Sequence, residues 1–155
     1  MTETRPDARR IVVGVDGSSG SKLALRWAAR IAAAEDAVID VVGAWDFAPA
    51  TTWAALPESY SPKLEMDKIV TETVDEVYGA DRPVGITVRT VKGNPAAALL
   101  AASADALMVV VGSRGHGGFM GLLLGSVSAK VAEHASCPVL VVHNRVESTV
   151  EAATS

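Results

Sequence analysis

The sequence predicts an α/β fold: an open, doubly wound parallel sheet with helices on both faces. Five short runs rich in β-branched residues alternate with four stretches that carry apolar residues at helical spacing, each opened by a helix-start signal. Three of the five runs are nearly continuous in apolar residues, as strands covered on both faces of a parallel sheet require. Parallel neighbours need crossover connections, which are right-handed, so the alternation builds three layers.

Ile11–Val15 is the first apolar run and ends in Asp16 and Gly17, a turn pair. Ser18 and Ser19 supply N-cap candidates for a helix whose apolar stripe reads Leu23, Trp27, Ile31 and Ala34. Lys22, Arg26 and Arg30 line one face of it as a solvated row. Val38–Val42 is the second strand. The stretch from Asp46 to Tyr60 is interrupted by Pro49, the pair Thr51 and Thr52, and Pro57, yet holds Trp53 and Tyr60. It leaves the carboxyl end of the second strand, so it is either a lid over a ligand or surface packing.

Ser61 and Pro62 then give an N-cap and a proline at N1 before Leu64, Ile69, Val70, Val74 and Val77. Gly85–Val91 is the third strand, and Asn94 with Pro95 repeats the start signal before Ala96 to Ala104, an alanine-rich helix expected to be largely buried. The run Leu107–Val111 is the fourth strand. Ser126 opens the last helix, with Val127, Val131 and Ala135 facing the core, and Val139–Val142 is the fifth strand.

A chain of 155 residues is about one domain and buries roughly 70% of its unfolded surface, so no disulfide or metal staple is required. The formal net charge is −4 and no basic cluster interrupts the chain, which argues against a nucleic-acid partner. Met1 to Arg10 is polar and lacks the apolar core of a secretory signal, and no run is long enough to span a bilayer. Cys137, the single cysteine, reads as a small buried hydrophobe in a reducing compartment. The expected organisation is a polar segment at 1–9, one domain at 10–143 and a polar tail at 144–155, with the cytoplasm as location and no membrane partner.

Between the fourth strand and the last helix lies Gly112 to Ser126, which includes Gly115, Gly117, Gly118, Gly121 and Gly125. Glycines in such a turn permit positive φ and let backbone N–H groups approach a ligand, while the following helix adds unpaired N–H groups and the positive end of its dipole. The segment therefore reads either as a phosphate cradle or as a plain connection. It is not a Walker A loop, because no lysine stands between Gly125 and Ser126. It is not a dinucleotide fingerprint either: Met120 occupies the third glycine position, and the segment lies late in the chain.

Asp16 could accept hydrogen bonds from ribose hydroxyls, help hold a magnesium ion, or simply close its own turn. Arg114, His116 and Lys130 are candidates to add positive charge, Arg114 foremost because it lies inside the turn. His116, His134 and His143 do not have metal-ligand spacing.

Gly112-x-x-Gly115, nine residues and then Gly125-Ser126 resembles the ATP-type phosphate motif of the universal stress protein family. Val13 to Ser18 is similar to that family's first strand and turn, Val91 to Pro95 to its third strand exit, and Cys137 to Val142 to its last strand. The resemblance implies strand order 3-2-1-4-5 and an adenine nucleotide across the switch point between strands one and four. It places Asp16 and Gly112 at the ribose, with Gly17 in the same turn, and Gly115, Gly125, Ser126, Val127 and Ser128 at the phosphates. Arg114, His116 and Gly117 fall within the phosphate turn, and adenine meets main-chain groups near Ala44. Gly43 stands where a bulkier residue, often histidine, is expected.

The implied role is that of an ATP-binding regulatory module in the stress response, with Mg carried by the nucleotide near Asp16. It is not an enzyme in its main role; slow hydrolysis or self-phosphorylation would be incidental. A cyclic AMP-binding protein or sink is the alternative, and a structural homodimer without nucleotide is a further one. The last strand, at the sheet edge, favours a homodimer through residues 139–142.

Overall fold

The computed structural model describes residues 8–47, 55–115 and 123–144. Within them, β1 (Arg10–Gly14), α1 (Ser19–Glu35), β2 (Val38–Trp45), α2 (Pro62–Tyr78), β3 (Thr87–Lys92), α3 (Pro95–Ala102), β4 (Met108–Gly112), α4 (Ser126–His134) and β5 (Val139–Val142) follow in chain order. A short 3-10 turn, Ser103–Asp105, extends α3. The strands form a single sheet of order β3-β2-β1-β4-β5 with every neighbouring pair parallel. The sequence expectation for topology is met. Residues 1–7, residues 48–54 of the Asp46–Tyr60 stretch and the tail from 145 onward lie outside the described residues.

The period-two alternation of strands sorts the apolar runs into two cores. Ile11, Val13, Ile39, Val41 and Val110 point toward α1 and α2, where they meet Ala24, Leu25, Ala28, Val70 and Val74. Val12, Val42, Val109 and Val111 point to the opposite face and meet Ala96, Leu99 and Ala102 of α3 and Val131 of α4. Both faces of β1 and β4 are thus covered, which is why their runs show no polar alternation. Fully burying each such side chain contributes about 1.5–3 kcal/mol. β3 is different: as an edge strand it leaves Thr87, Val88 and Arg89 exposed.

Helix starts follow the predicted signals. Ser18 caps α1 by accepting from Ser21 N–H, Ser61 caps α2 by accepting from Leu64 N–H, and the Asn94 side chain accepts from the N–H groups of Ala96 and Ala97 in α3. Their buried faces differ from the expected ones. In α1 the residues against the sheet are Ala24, Leu25, Ala28 and Ala32, whereas Trp27 is 41% exposed and Ala34 is exposed. Small residues let the helix axis lie close to the strands, so the bulky members of the predicted stripe are displaced to the flank. There Arg30 covers the Trp27 ring at 5.1 Å from its centroid.

Leu64 of α2 is likewise 66% exposed. The α3 helix is buried along one face only: Ala96, Leu99 and Ala102 pack inward while Ala97 and Ala101 face outward. Alanine content alone therefore overstated its burial. Cys137 packs half-buried against the α3 and α4 core, where burial pushes its thiol pKa up.

Tyr78 ends α2 and locks it to α1, its hydroxyl donating to the Leu25 carbonyl oxygen at 2.6 Å. Burial pushes the phenol pKa from 10.0 up to about 12. The folded protein holds this proton more tightly than the unfolded chain. The corresponding stability is present in full below pH 10 and is lost as pH rises toward about 12. Urea unfolding across that interval should show a decline in stability, and Tyr78→Phe should flatten that part of the decline while costing about 1 kcal/mol near neutral pH.

Candidate functional site

β1 runs into a helix on one face of the sheet and β4 runs toward a helix on the other, so the chain parts at their carboxyl ends. Such a switch point leaves a crevice. Here the crevice has a volume of about 450 Å³. Toward β2 its walls are apolar, made by Val42, Ala44, Met66, Ile69, Pro95 and Leu99. Toward β4 they are polar, made by Asp16, Ser18, Ser21, Arg114, Gly115 and the start of α4.

Asp16 holds the β1 turn. Its Oδ1 accepts from Ser18 N–H at 2.9 Å and from the Ser18 hydroxyl, while Gly17 takes the positive φ of 83° that the turn demands. The turn role expected for Asp16 is therefore real, and the same residue also lines the crevice. In the same polar wall, Gly115 of the facing turn lies so near that a Cβ there would clash with Asp16 Oδ2. Beneath both turns, Gly20 of α1 and Gly112 at the end of β4 touch backbone to backbone: a Cβ on Gly112 would meet the Gly20 carbonyl carbon at 2.7 Å.

Ser113 anchors the start of α4. Its carbonyl accepts from Gly125 N–H at 2.7 Å and from the buried Ser128 hydroxyl at 2.9 Å, and its own N–H donates to Val142 O at 2.8 Å. Gly125 is the N-cap of α4 and provides no side-chain cap, and the first bond of the helix runs from Ala129 N–H to Gly125 O. Three helices in this fold cap themselves with Ser18, Ser61 or Asn94; α4 instead brings Ser126, Val127 and Ser128 to the crevice wall. The N–H groups of a helix's first turn have no intrahelical acceptor, and the dipole adds positive potential there. Arg114 is exposed and lines the same wall.

Asp16, Ala44, Gly112, Arg114, Gly115, Gly125, Ser126, Val127 and Ser128 all border the one crevice. Gly17 supports it from the turn without lining it. His116 and Gly117 lie outside the described residues. Lys130 is exposed on α4 and does not line the crevice, and His134 and His143 are exposed away from it.

Two expectations need correction. Gly112, Gly115 and Gly125 have no positive φ; at Gly112 and Gly115 close approach to Gly20 and to Asp16 is what the lack of a side chain serves, whereas a Cβ on Gly125 would meet the Ser113–Arg114 backbone at ordinary contact distances. The Ser128 hydroxyl donates to Ser113 and Gly125 carbonyls, so its hydrogen is spent inside the protein and its backbone N–H is the donor left for a ligand. Sequence reasoning missed Ser21, Met66, Pro95 and Leu99 as crevice residues. Met66 and Leu99 carried no signal beyond apolar character, whereas Pro95 marked a helix start at a strand's carboxyl end.

An open parallel sheet with a ligand-sized crevice at its switch point defines the class: a doubly wound α/β protein with its site at the carboxyl ends of the strands. Residues 8–143 match the model of the universal stress protein family, and the chain belongs to that family. A universal stress protein of Mycolicibacterium smegmatis is 40% identical over 145 residues, covering 86% of this chain and 47% of the relative. The chain spans about half the length of the curated relatives it matches. The crystal structure of a universal stress protein in complex with cAMP is similar at a TM-score of 0.67 and 30% identity, over 88% of this chain and 98% of that one. The fold is shared with a universal stress protein of Lactobacillus plantarum at a TM-score of 0.70 and 19% identity, over 89% and 99% of the two chains.

Ser128→Ala should separate scaffold from ligand contact. It leaves the backbone donor in place but removes the bonds to two carbonyls in a buried setting, an expected loss of about 1–3 kcal/mol in urea unfolding.

Proposed function

We propose that this chain is an adenine-nucleotide-binding regulatory module that holds its ligand in the switch-point crevice. The observation that carries this reading is the uncapped amino end of α4 opening onto that crevice. Among the described residues its first-turn N–H groups have no side-chain acceptor, and a phosphate is the ligand such an end suits. The volume of about 450 Å³ falls within the roughly 300–1,000 Å³ of small-molecule pockets. An apolar wall on one side and a polar wall on the other suit a base and a phosphate group respectively.

In this assignment, Gly115, Gly125, Ser126, Val127 and Ser128 offer backbone N–H groups to phosphates, with charge from Arg114. Asp16 and Gly112 face the ribose, and main-chain groups near Ala44 meet adenine. ATP is the preferred ligand on the nine-residue interval between Gly115 and Gly125, with Mg arriving on its phosphates beside Asp16. A second reading, cyclic AMP, is favoured by the similarity to the cAMP complex. It also suits a crevice where Arg114 is the cation among the described lining residues.

The role is binding rather than turnover, since Asp16, the carboxylate among the described lining residues, is engaged by Ser18. Cytoplasmic stress regulation is the setting we assign. Among the described residues no helix is long and apolar enough to cross a membrane.

Thermal unfolding tests the ligand. At one hundred times its dissociation constant ATP should add about 2.7 kcal/mol of stability. Gly125→Val should abolish most of that shift while the protein stays folded, because a Cβ there meets nothing nearer than 3.4 Å. Competition between ATP and cyclic AMP ranks the two ligands, and a melting temperature indifferent to both, with or without magnesium, would sink the reading.

We also assign a homodimer through β5. Pro138 and Val142 carbonyls accept bonds from Val109 of β4 and from Ser113 just after it, so the alternation of the strand turns the N–H groups of Val139 and Val141 outward. Val141→Pro removes an outward donor and spares the β4 ladder. Light scattering should show a dimer for the wild type and a shift toward monomer for the variant; a monomeric wild type at micromolar concentration would overturn the assignment.

A further inference from the structure

Two strand glycines lie on either side of the apolar wall, and each receives a helix side chain. A Cβ on Gly43 of β2 would stand 2.5 Å from Val70 Cγ2 and 3.3 Å from both Met66 Cγ and Sδ, so α2 is seated directly on the strand there. A Cβ on Gly14 of β1 would stand 2.8 Å from Leu99 Cδ1, so α3 is seated equally low from the other face. Both Met66 and Leu99 line the crevice. They reach it from opposite layers of the fold, one above each face of the sheet.

From this pairing we infer that Met66 and Leu99 are the two jaws that grip the base of the bound nucleotide and set which bases fit. The inference rests on the nucleotide reading above and assigns the specificity of its base end. Four features support the role. Neither residue brings a charge or a hydrogen-bonding side chain, so the pair suits a flat apolar surface. A thioether is polarisable and favours aromatic contact, and its unbranched stem adapts to a planar ring. Leu99 is 3% exposed and fixed by the α3 core, which makes it the rigid jaw, while Met66 is half-buried and is the adjustable one. Finally, α2 is tied to β3 next to Met66: Asp67 accepts from Lys63 and from the Thr90 hydroxyl, and these bonds hold its carboxyl below the usual range.

Gly43 then has a function of its own. A side chain at that position would displace Met66 and Val70 and move the adjustable jaw. Occupancy of the β2 position and the reach of Met66 are coupled, and the chain has the small residue with the long one.

Isothermal titration with ATP, AMP and cyclic AMP, with GTP as the guanine counterpart and ribose 5-phosphate as a base-free probe, tests the inference. Met66→Ala should weaken all three adenine nucleotides by a similar factor of about ten and leave ribose 5-phosphate unchanged, since the base is common to the three. Gly43→Ala should weaken them as well. The double variant Gly43→Ala with Met66→Ala should lose less affinity than the two single losses combined, because the contact with Met66 is then relieved while the nearer one, with Val70, remains. Leu99→Met, close in volume, serves where Leu99→Ala fails to fold, and should change the ratio of adenine to guanine nucleotide affinity. A wild type that binds no nucleotide defeats the nucleotide reading. A wild type that binds, with folded Met66→Ala and Leu99→Met variants of unchanged affinity and base preference, overturns the jaws alone.

Discussion

The contact between Gly20 and Gly112 leaves no space for a single side-chain carbon, and the geometry of the crevice depends on it. It presses the first turn of α1 onto the end of β4, although α1 belongs to the β1 turn. Because β1 and β4 are neighbours in the sheet, that contact brings the Asp16 turn and the Arg114–Gly115 turn face to face across a narrow gap. Enlarging either glycine would separate the two turns by about an ångström or more, and tight interiors do not absorb such a change without strain. The polar wall is therefore a consequence of backbone packing before any side chain is considered.

Much of this was legible in the sequence because it rests on local rules. Apolar runs without alternation gave strands covered on both faces, and Ser18, Ser61 and Asn94 gave the helix starts. Burial within helices was less legible. For α1 the apolar pattern offered Trp27 and Ile31, yet Ala24, Ala28 and Ala32 face the sheet, since depth of seating depends on the partner surface and not on hydrophobicity alone. The site divided in the same way. Its backbone donors were foreseeable from glycines flanking a strand and a helix, whereas Met66 and Leu99 arrive from helices distant in sequence. No spacing links them; only the fold does.

Asp16 illustrates why local chemistry and ligand chemistry were hard to separate in advance. Its carboxylate closes the turn through Ser18, and Ser18 in turn caps α1. The side chain that borders the crevice is thus also a piece of the turn that makes the crevice. Removing it would loosen the start of α1 and the wall opposite Gly115 together, so a loss of binding in such a variant would not by itself define a ligand contact. Backbone donors lack this ambiguity.

The start of α4 turns that point into an argument about energy. Replacing a serine or asparagine cap by glycine costs a helix only a few tenths of a kcal/mol, whereas alanine costs typically about 1. Gly125 thus forgoes a side-chain acceptor at little expense to folding. Meanwhile Ser113 and Ser128 fix the helix start from beneath, through its first carbonyl and its third residue's hydroxyl. Among the described residues, the helix is held in place without its outward N–H groups being consumed. An arrangement of that kind has its donors oriented before a ligand arrives, so an anion entering the crevice would displace water but reorganise little of the protein, which is the condition under which a few backbone hydrogen bonds yield useful affinity.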